Sequence, residues 1–176
     1  MNRLIAALAL ILACSLAGNA QVKPCSLVTP AEVESALGVK VTGLDVNGEM
    51  GGMATCSGVA ANRMSVMVMF AGAGAQKGNG AQKGDDAKWA DPLGELERQS
   101  RESAKSIGAQ MEVKRFGSSI LCTTLIPPKQ GPYSTQCMAV KKPTGMGSIS
   151  VLVRTQQDMV PIEKLHPLAE KMLGRL

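Results

Sequence analysis

Blocks of different hydrophobic period divide the chain. The first is a continuous apolar run from Leu4 to Ala13, behind the short basic start Met1-Asn2-Arg3. Val28-Thr29-Pro30-Ala31-Glu32 then carries the signals of a helix start: Thr29 as N-cap, Pro30 at the first helical position and Glu32 closing a capping box. Val33 and Leu37 give that helix one apolar edge, and Gly38 ends it, so a helix over about 30–37 is predicted. Extended segments follow at Val39–Val41 and Gly43–Val46, with Asn47-Gly48 as a turn, and again from Met53 to Val59. In Met64–Phe70 the residues Met64, Val66, Val68 and Phe70 share one face, while Ser65, Met67 and Met69 share the other. Apolar residues on both faces predict a central strand covered, at least in part, from both sides.

Between Gly72 and Asp91 the period disappears. The tandem Gly74-Ala75-Gln76-Lys77-Gly78 and Gly80-Ala81-Gln82-Lys83-Gly84 offers little to bury and reads as a flexible Gly-rich linker over 72–91. A phosphate-cradling loop would need Gly-Lys-Ser/Thr running from a strand into a helix. Here the order is Lys-Gly, followed by Asp85-Asp86. Asp91 and Pro92 open a second helix with a narrow stripe of Leu93, Leu96, Ser100, Ala104 and Ile107, ended by Gly108, and Trp89 is expected to pack beneath its start.

Strands are predicted at Gln110–Phe116, Ser119–Ile126, Gln136–Lys141 and Gly147–Thr155, with a proline loop over 127–133 and a turn at Pro143-Thr144-Gly145. A closing helix begins at Pro161, with Pro167 expected to kink it near His166. The predicted fold is α+β: an antiparallel sheet of about six to seven strands with three helices, in the order α-βββ-α-ββββ-α.

Arg3 is the one charge among the first 20 residues, and Gly18-Asn19-Ala20 sets small residues before Gln21. Residues 1–20 therefore read as a signal peptide and 21–176 as a single domain that is periplasmic or secreted. Ile11-Leu12-Ala13-Cys14 is a near-match to a lipobox, so lipidation at Cys14 is the alternative, and it would anchor the chain to a membrane. The remaining chain carries one positive charge less than the full-length +5. That weak, dispersed charge and only four aromatic residues exclude a nucleic-acid partner.

Setting Cys14 aside leaves Cys25, Cys56, Cys122 and Cys137, an even number that fits two disulfides in an oxidising compartment. Four cysteines allow three pairings, and the sequence does not select one. Proximity along the chain favours Cys25 with Cys56 and Cys122 with Cys137. The chain contains no Cys-x-x-C, and no histidine lies near any cysteine, which argues against a redox pair or a metal site.

Pro24-Cys25-Ser26-Leu27-Val28-Thr29-Pro30-Ala31-Glu32-Val33, ending Ala36-Leu37-Gly38, resembles the opening of a short exported bacterial family, often lipoproteins, known as a domain of unknown function. The resemblance implies export, a second cysteine in an early strand paired with the first (here Cys56 with Cys25), a mid-chain helix and a C-terminal helix. It implies no activity.

Candidate chemistry is sparse. Met64, Met67 and Met69 offer thioethers, soft ligands suited to Cu(I), although methionine also fills cores short of aromatics. His166 is the one histidine, and no nucleophile or carboxylate is linked to it in sequence. The close carboxylate pairs, Glu32 with Glu34 and Asp85 with Asp86, belong to a helix start and a linker. Pro128, Lys129 and Tyr133 form the best candidate partner loop. The sequence thus predicts a non-catalytic envelope binding or accessory module, with no cofactor, whose partner is a peptide, a lipid or another envelope protein. A methionine-based Cu(I)-handling protein is the alternative, and an enzyme comes third.

Overall fold

The computed structural model describes residues 23–50, 53–60, 62–72, 91–129 and 131–176. The predicted signal peptide, Cys14, Trp89 and nearly all of the Gly-rich segment lie outside these residues; Gly72 ends a strand and Asp91 caps a helix.

The described residues open with a short helix α1 (Pro24–Leu27) that the sequence did not signal beyond Pro24 at its start. Helix α2 (Pro30–Leu37) follows as predicted. The Glu32 amide donates to Thr29 Oγ1 at 3.3 Å, and the Thr29 amide donates to Glu32 Oε2 at 2.9 Å, which closes the capping box. Gly38 ends the helix at φ 72°, a left-handed conformation that favours glycine.

Seven antiparallel strands follow: β1 (Val41–Met50), β2 (Met53–Ala60), β3 (Ser65–Gly72), β4 (Gln110–Phe116), β5 (Ile120–Ile126), β6 (Tyr133–Lys141) and β7 (Gly145–Val153). Helix α3 (Pro92–Ser106) separates β3 from β4, and helix α4 (Ile162–Arg175) closes the chain after a 3-10 turn at Gln156–Asp158. The sheet order is β1-β2-β3-β7-β6-β5-β4, so two meanders meet at the β3–β7 pair. The predicted element order is met in part: the seven-stranded antiparallel sheet and the three longer helices are present, and α1 and the 3-10 turn are additional.

Two local expectations change. Asn47-Gly48 does not turn the chain: β1 runs through it, and a register shift between Val46 and Gly48 takes up the irregularity. Tyr133 belongs to β6 rather than to the proline loop, because its backbone pairs with Val153.

The core lies on one face of the sheet. A row of directly opposed residues crosses it: Cys122, Cys137, Ile149, Val68 and Cys56, each fully buried. Helices α1, α2 and α4 cover this face, with Leu27, Val33, Leu165, Leu168 and Met172 packed into it. Helix α4 continues through Pro167.

Helix α3 covers the second face over β4, β5 and the neighbouring part of β6, where Leu93 packs on Leu121 and Met138. Asp91 Oδ1 caps α3 by accepting from the Gly94 amide at 2.9 Å. Of its predicted stripe, Leu93 and Ala104 are buried, whereas Ile107 is 57% exposed at the C-cap. β5 is therefore the strand most enclosed on both sides, while Met67 and Met69 of β3 stay half-buried.

Both disulfides form. Cys25 of α1 joins Cys56 of β2, fixing α1 to the sheet, and Cys122 joins Cys137 directly across the β5–β6 ladder. Two disulfides fit an exported location. Among the described residues, no helix is long and apolar enough to cross a membrane.

Glu32 ties the two ends of the described chain together. Its carboxylate accepts from both terminal nitrogens of Arg175 at 2.7 Å and lies 3.2 Å from Lys171 Nζ. Arg175 Nη1 also donates to the Leu27 carbonyl at 2.9 Å. The Arg175 guanidinium, helped by the Thr29 amide and Lys171, holds the Glu32 carboxyl well below its ordinary value near 4.5.

Two stability outcomes follow from these ties. Loop lengths of 31 and 15 residues give about 4 and about 3 kcal/mol for the two disulfides. Cys25→Ala with Cys56→Ala should therefore lower Tm by about 10 °C in calorimetry. Because the Glu32 carboxyl is acidified in the fold, its contribution is complete above pH 4.5 and declines as the pH falls below that value. Glu32→Gln should cost about 2 kcal/mol at pH 7 and flatten the acid limb of a denaturant-melt series between pH 5 and 2.

Candidate functional site

The register of the ladder decides which connections share an end of the sheet. Val41 pairs with Ala60, Ser65 with Leu152, Tyr133 with Val153 and Gln110 with Ile126. One end thus collects the approach to β1, the β2–β3 turn, the proline loop, the exit from β7 and the link from α3 to β4.

At this end Tyr133, Arg154, Thr155, Gln156 and Gln157 line an open depression of about 690 Å³. Backbone pairing of Tyr133 with Val153 sets the ring at the start of β6, half-buried, beside the chain leaving β7. The 3-10 turn then presents Gln156 and Gln157, both exposed. Thr155 is committed to that turn, since its hydroxyl donates to Asp158 Oδ2 at 2.6 Å. Behind the depression, the buried Thr135 hydroxyl donates to the Val160 carbonyl at 2.6 Å and fixes the approach to α4. The rim therefore offers amide groups, a phenol and one guanidinium on a rigid backing. Such groups hold a ligand by hydrogen bonding and charge, and none has an ordinary pKa near neutrality.

Of the predicted partner loop, Pro128 and Lys129 are exposed at this end of the sheet, and only Tyr133 lines the depression. The sequence reading of that loop did not include Arg154, Gln156 or Gln157, which lie more than twenty residues away and join it only through the β6–β7 pairing.

The structure does not bring the three candidate copper ligands together. Met64 is 5% exposed in the core, whereas Met67 and Met69 point to the opposite, partly open face. Met53 and Met146 flank Ala71 on that same open face. Their strands sit on either side of β3, so the two side chains start about 10 Å apart. Among the described residues, no group of three or more His, Cys, Asp or Glu side chains could hold a metal.

His166 is packed rather than poised. Its ring stacks on Phe116 with centroids 3.7 Å apart and planes inclined by 18°, and Nε2 lies 3.6 Å from Glu170. The neighbouring Lys114 Nζ donates to Glu163 at 2.7 Å, which pins the edge strand β4 to α4.

Comparisons with protein-family models, with curated proteins and with solved structures gave no match.

Replacing Met67 and Met69 together by Leu preserves volume on a half-buried face. The double variant should keep its stability within about 1.5 kcal/mol of the parent, and Cu(I) uptake measured against a chromogenic chelator should not change.

Proposed function

We propose that this protein is an exported, non-catalytic binding or accessory module of the cell envelope, and that the short exported family named above is its kin. Residues 1–20 direct export and leave the domain periplasmic or secreted; lipid attachment at Cys14 is the alternative route to the same compartment. The observation that carries the reading is the depression at Tyr133, Arg154, Gln156 and Gln157, built from hydrogen-bonding groups on a disulfide-stapled sheet. Loops held by a rigid scaffold are where recognition concentrates. The ligand classes that suit these groups are a peptide, a lipid headgroup or the surface of another envelope protein.

Stacking of His166 on Phe116 supports a packing role for the one side chain that could have served as a neutral-pH acid or base. Separation of Met64 from Met67 and Met69 by the thickness of the sheet weighs against the copper reading.

The test is an amide NMR titration of the isotope-labelled domain with two probes, short-chain phosphatidylglycerol and a mixed pool of synthetic tetrapeptides. Binding by either should shift the amides of Tyr133 and Arg154–Gln157 most, and Tyr133→Ala with Arg154→Ala should weaken it at least tenfold. No shift at these amides with either probe would overturn the reading.

A further inference from the structure

The end of the sheet that holds the depression is also where the described chain gathers cations without counter-ions. Lys40 precedes β1, Arg63 occupies the β2–β3 turn, Lys105 closes α3, Lys129 lies in the proline loop and Arg154 follows β7. All five are exposed, and none makes an ion pair among the described residues.

Of the carboxylates nearest this end, Glu163 pairs with Lys114, whereas Glu34 and Asp158 keep their charge while accepting the Val41 amide at 2.9 Å and the Thr155 hydroxyl, so the five cations outnumber them. At strand spacing the cations extend over about 20 Å from β1 to the β5–β6 loop.

Apolar groups stand among them. Of the three large hydrophobic residues most exposed among the described ones, Val59 (54%) and Ile107 (57%) are both at this end. Pro128 is exposed as well, and packs beside Gly108, next to Ile107. Tyr133, with an apolar ring and a polar tip, lines the depression together with Arg154. Arg63 is held at φ 63°, the one non-glycine residue with positive φ among the described residues. Its amide donates to the Ala60 carbonyl at 2.9 Å, and the Asn62 side chain accepts from the Met64 amide at 3.2 Å. A tight, bonded turn thus projects this arginine at the tip of the sheet.

Exposed apolar residues ringed by unpaired cations match an interface with two layers, a negatively charged surface over a hydrocarbon interior. We infer that this end of the sheet is a peripheral docking surface for anionic phospholipid membranes. Lys40, Arg63, Lys105, Lys129 and Arg154 meet the phosphates, while Val59, Ile107 and Pro128 enter the headgroup boundary. The inference rests on the reading that this end binds, and it names the partner. It also gives the domain a membrane contact that needs no lipid on Cys14. A soluble polyanion would use the cations alone and leave the apolar tips in water.

The test is co-sedimentation with vesicles of phosphatidylcholine alone and of phosphatidylcholine with 30% phosphatidylglycerol. Anionic vesicles should be bound and neutral ones not, with affinity falling as salt rises. Each cation near such a surface contributes about fivefold in affinity. Arg63→Gln with Lys129→Gln and Arg154→Gln should therefore weaken binding about a hundredfold, while Lys141→Gln at the opposite end of β6 leaves it unchanged. Val59→Ser with Ile107→Ser should weaken vesicle binding about tenfold without altering binding of inorganic polyphosphate.

Equal sedimentation with both vesicle types, or a triple variant that binds like the parent, would overturn the inference. An effect of the apolar double variant on polyphosphate equal to its effect on vesicles would overturn it too. If vesicles fail while tetrapeptides shift the amides of Tyr133 and Arg154–Gln157, membrane docking is refuted and the binding reading stands. If no probe shifts them, both fall.

Discussion

An antiparallel sheet of seven strands must hide at least one face from water, and here a single row of directly opposed side chains runs through the centre of the hidden face. Cys122, Cys137, Ile149, Val68 and Cys56 stand opposite one another from β5 to β2, all without solvent contact. The row contains one disulfide within itself and begins another to α1. Hydrophobic burial supplies the favourable free energy, and the two crosslinks shrink the unfolded ensemble that burial must overcome. Helix α4 can then cross the sheet in one pass, with its last turn clamped by Arg175 to Glu32 and to the Leu27 carbonyl.

Because three helices are spent on that face, one is left for the other. Helix α3 covers only the β4–β5–β6 side, and its charged flank meets Arg115 of β4, bonded to Glu97 at 2.8 Å and to Asp91 at 3.3 Å. The second face of β2, β3 and β7 is left largely to residues that tolerate partial exposure: Thr55, Ser57 and Ser150 between Met53, Met67, Met69 and Met146. Methionine suits such a face because its flexible thioether fills gaps without a fixed shape. Packing on a half-covered sheet in a chain poor in aromatics accounts for the placement of these methionines.

Local chemistry made much of the fold legible. Thr29-Pro30 with Glu32, and Asp91-Pro92, are helix starts whose meaning is written within four residues, and both caps form as the sequence predicts. The apolar positions on both faces of β3 predicted a central strand covered at least in part from both sides, and β3 lies inside the sheet with one face buried and the other half-buried. Errors arose where a local signal competed with pairing. Asn47-Gly48 is a strong turn sequence, yet the ladder to Gly48 and Thr55 absorbs it as an irregularity in β1. Tyr133 follows three prolines and reads as loop, but pairing with Val153 draws it into β6. Helix α1 is a single turn held by Cys25–Cys56 and by burial of Leu27, and neither constraint has a local periodicity to detect.

The surface chemistry was the least legible part, for a related reason. Lys40, Arg63, Lys105, Lys129 and Arg154 are spread over more than a hundred residues and form no run in the sequence. Dispersed charge of that kind reads as solvation. What gathers them is the antiparallel alternation, which returns every second connection to the same end of the sheet, together with α3, which delivers Lys105 and Ile107 there. The turn at Arg63 adds a conformational cost that an ordinary loop would avoid, and it is met by hydrogen bonds from its own neighbours. These connections lie beyond the buried row and its crosslinks. Their cations and apolar tips can therefore be exchanged without touching the core, which makes stability and the proposed membrane docking separable in this fold.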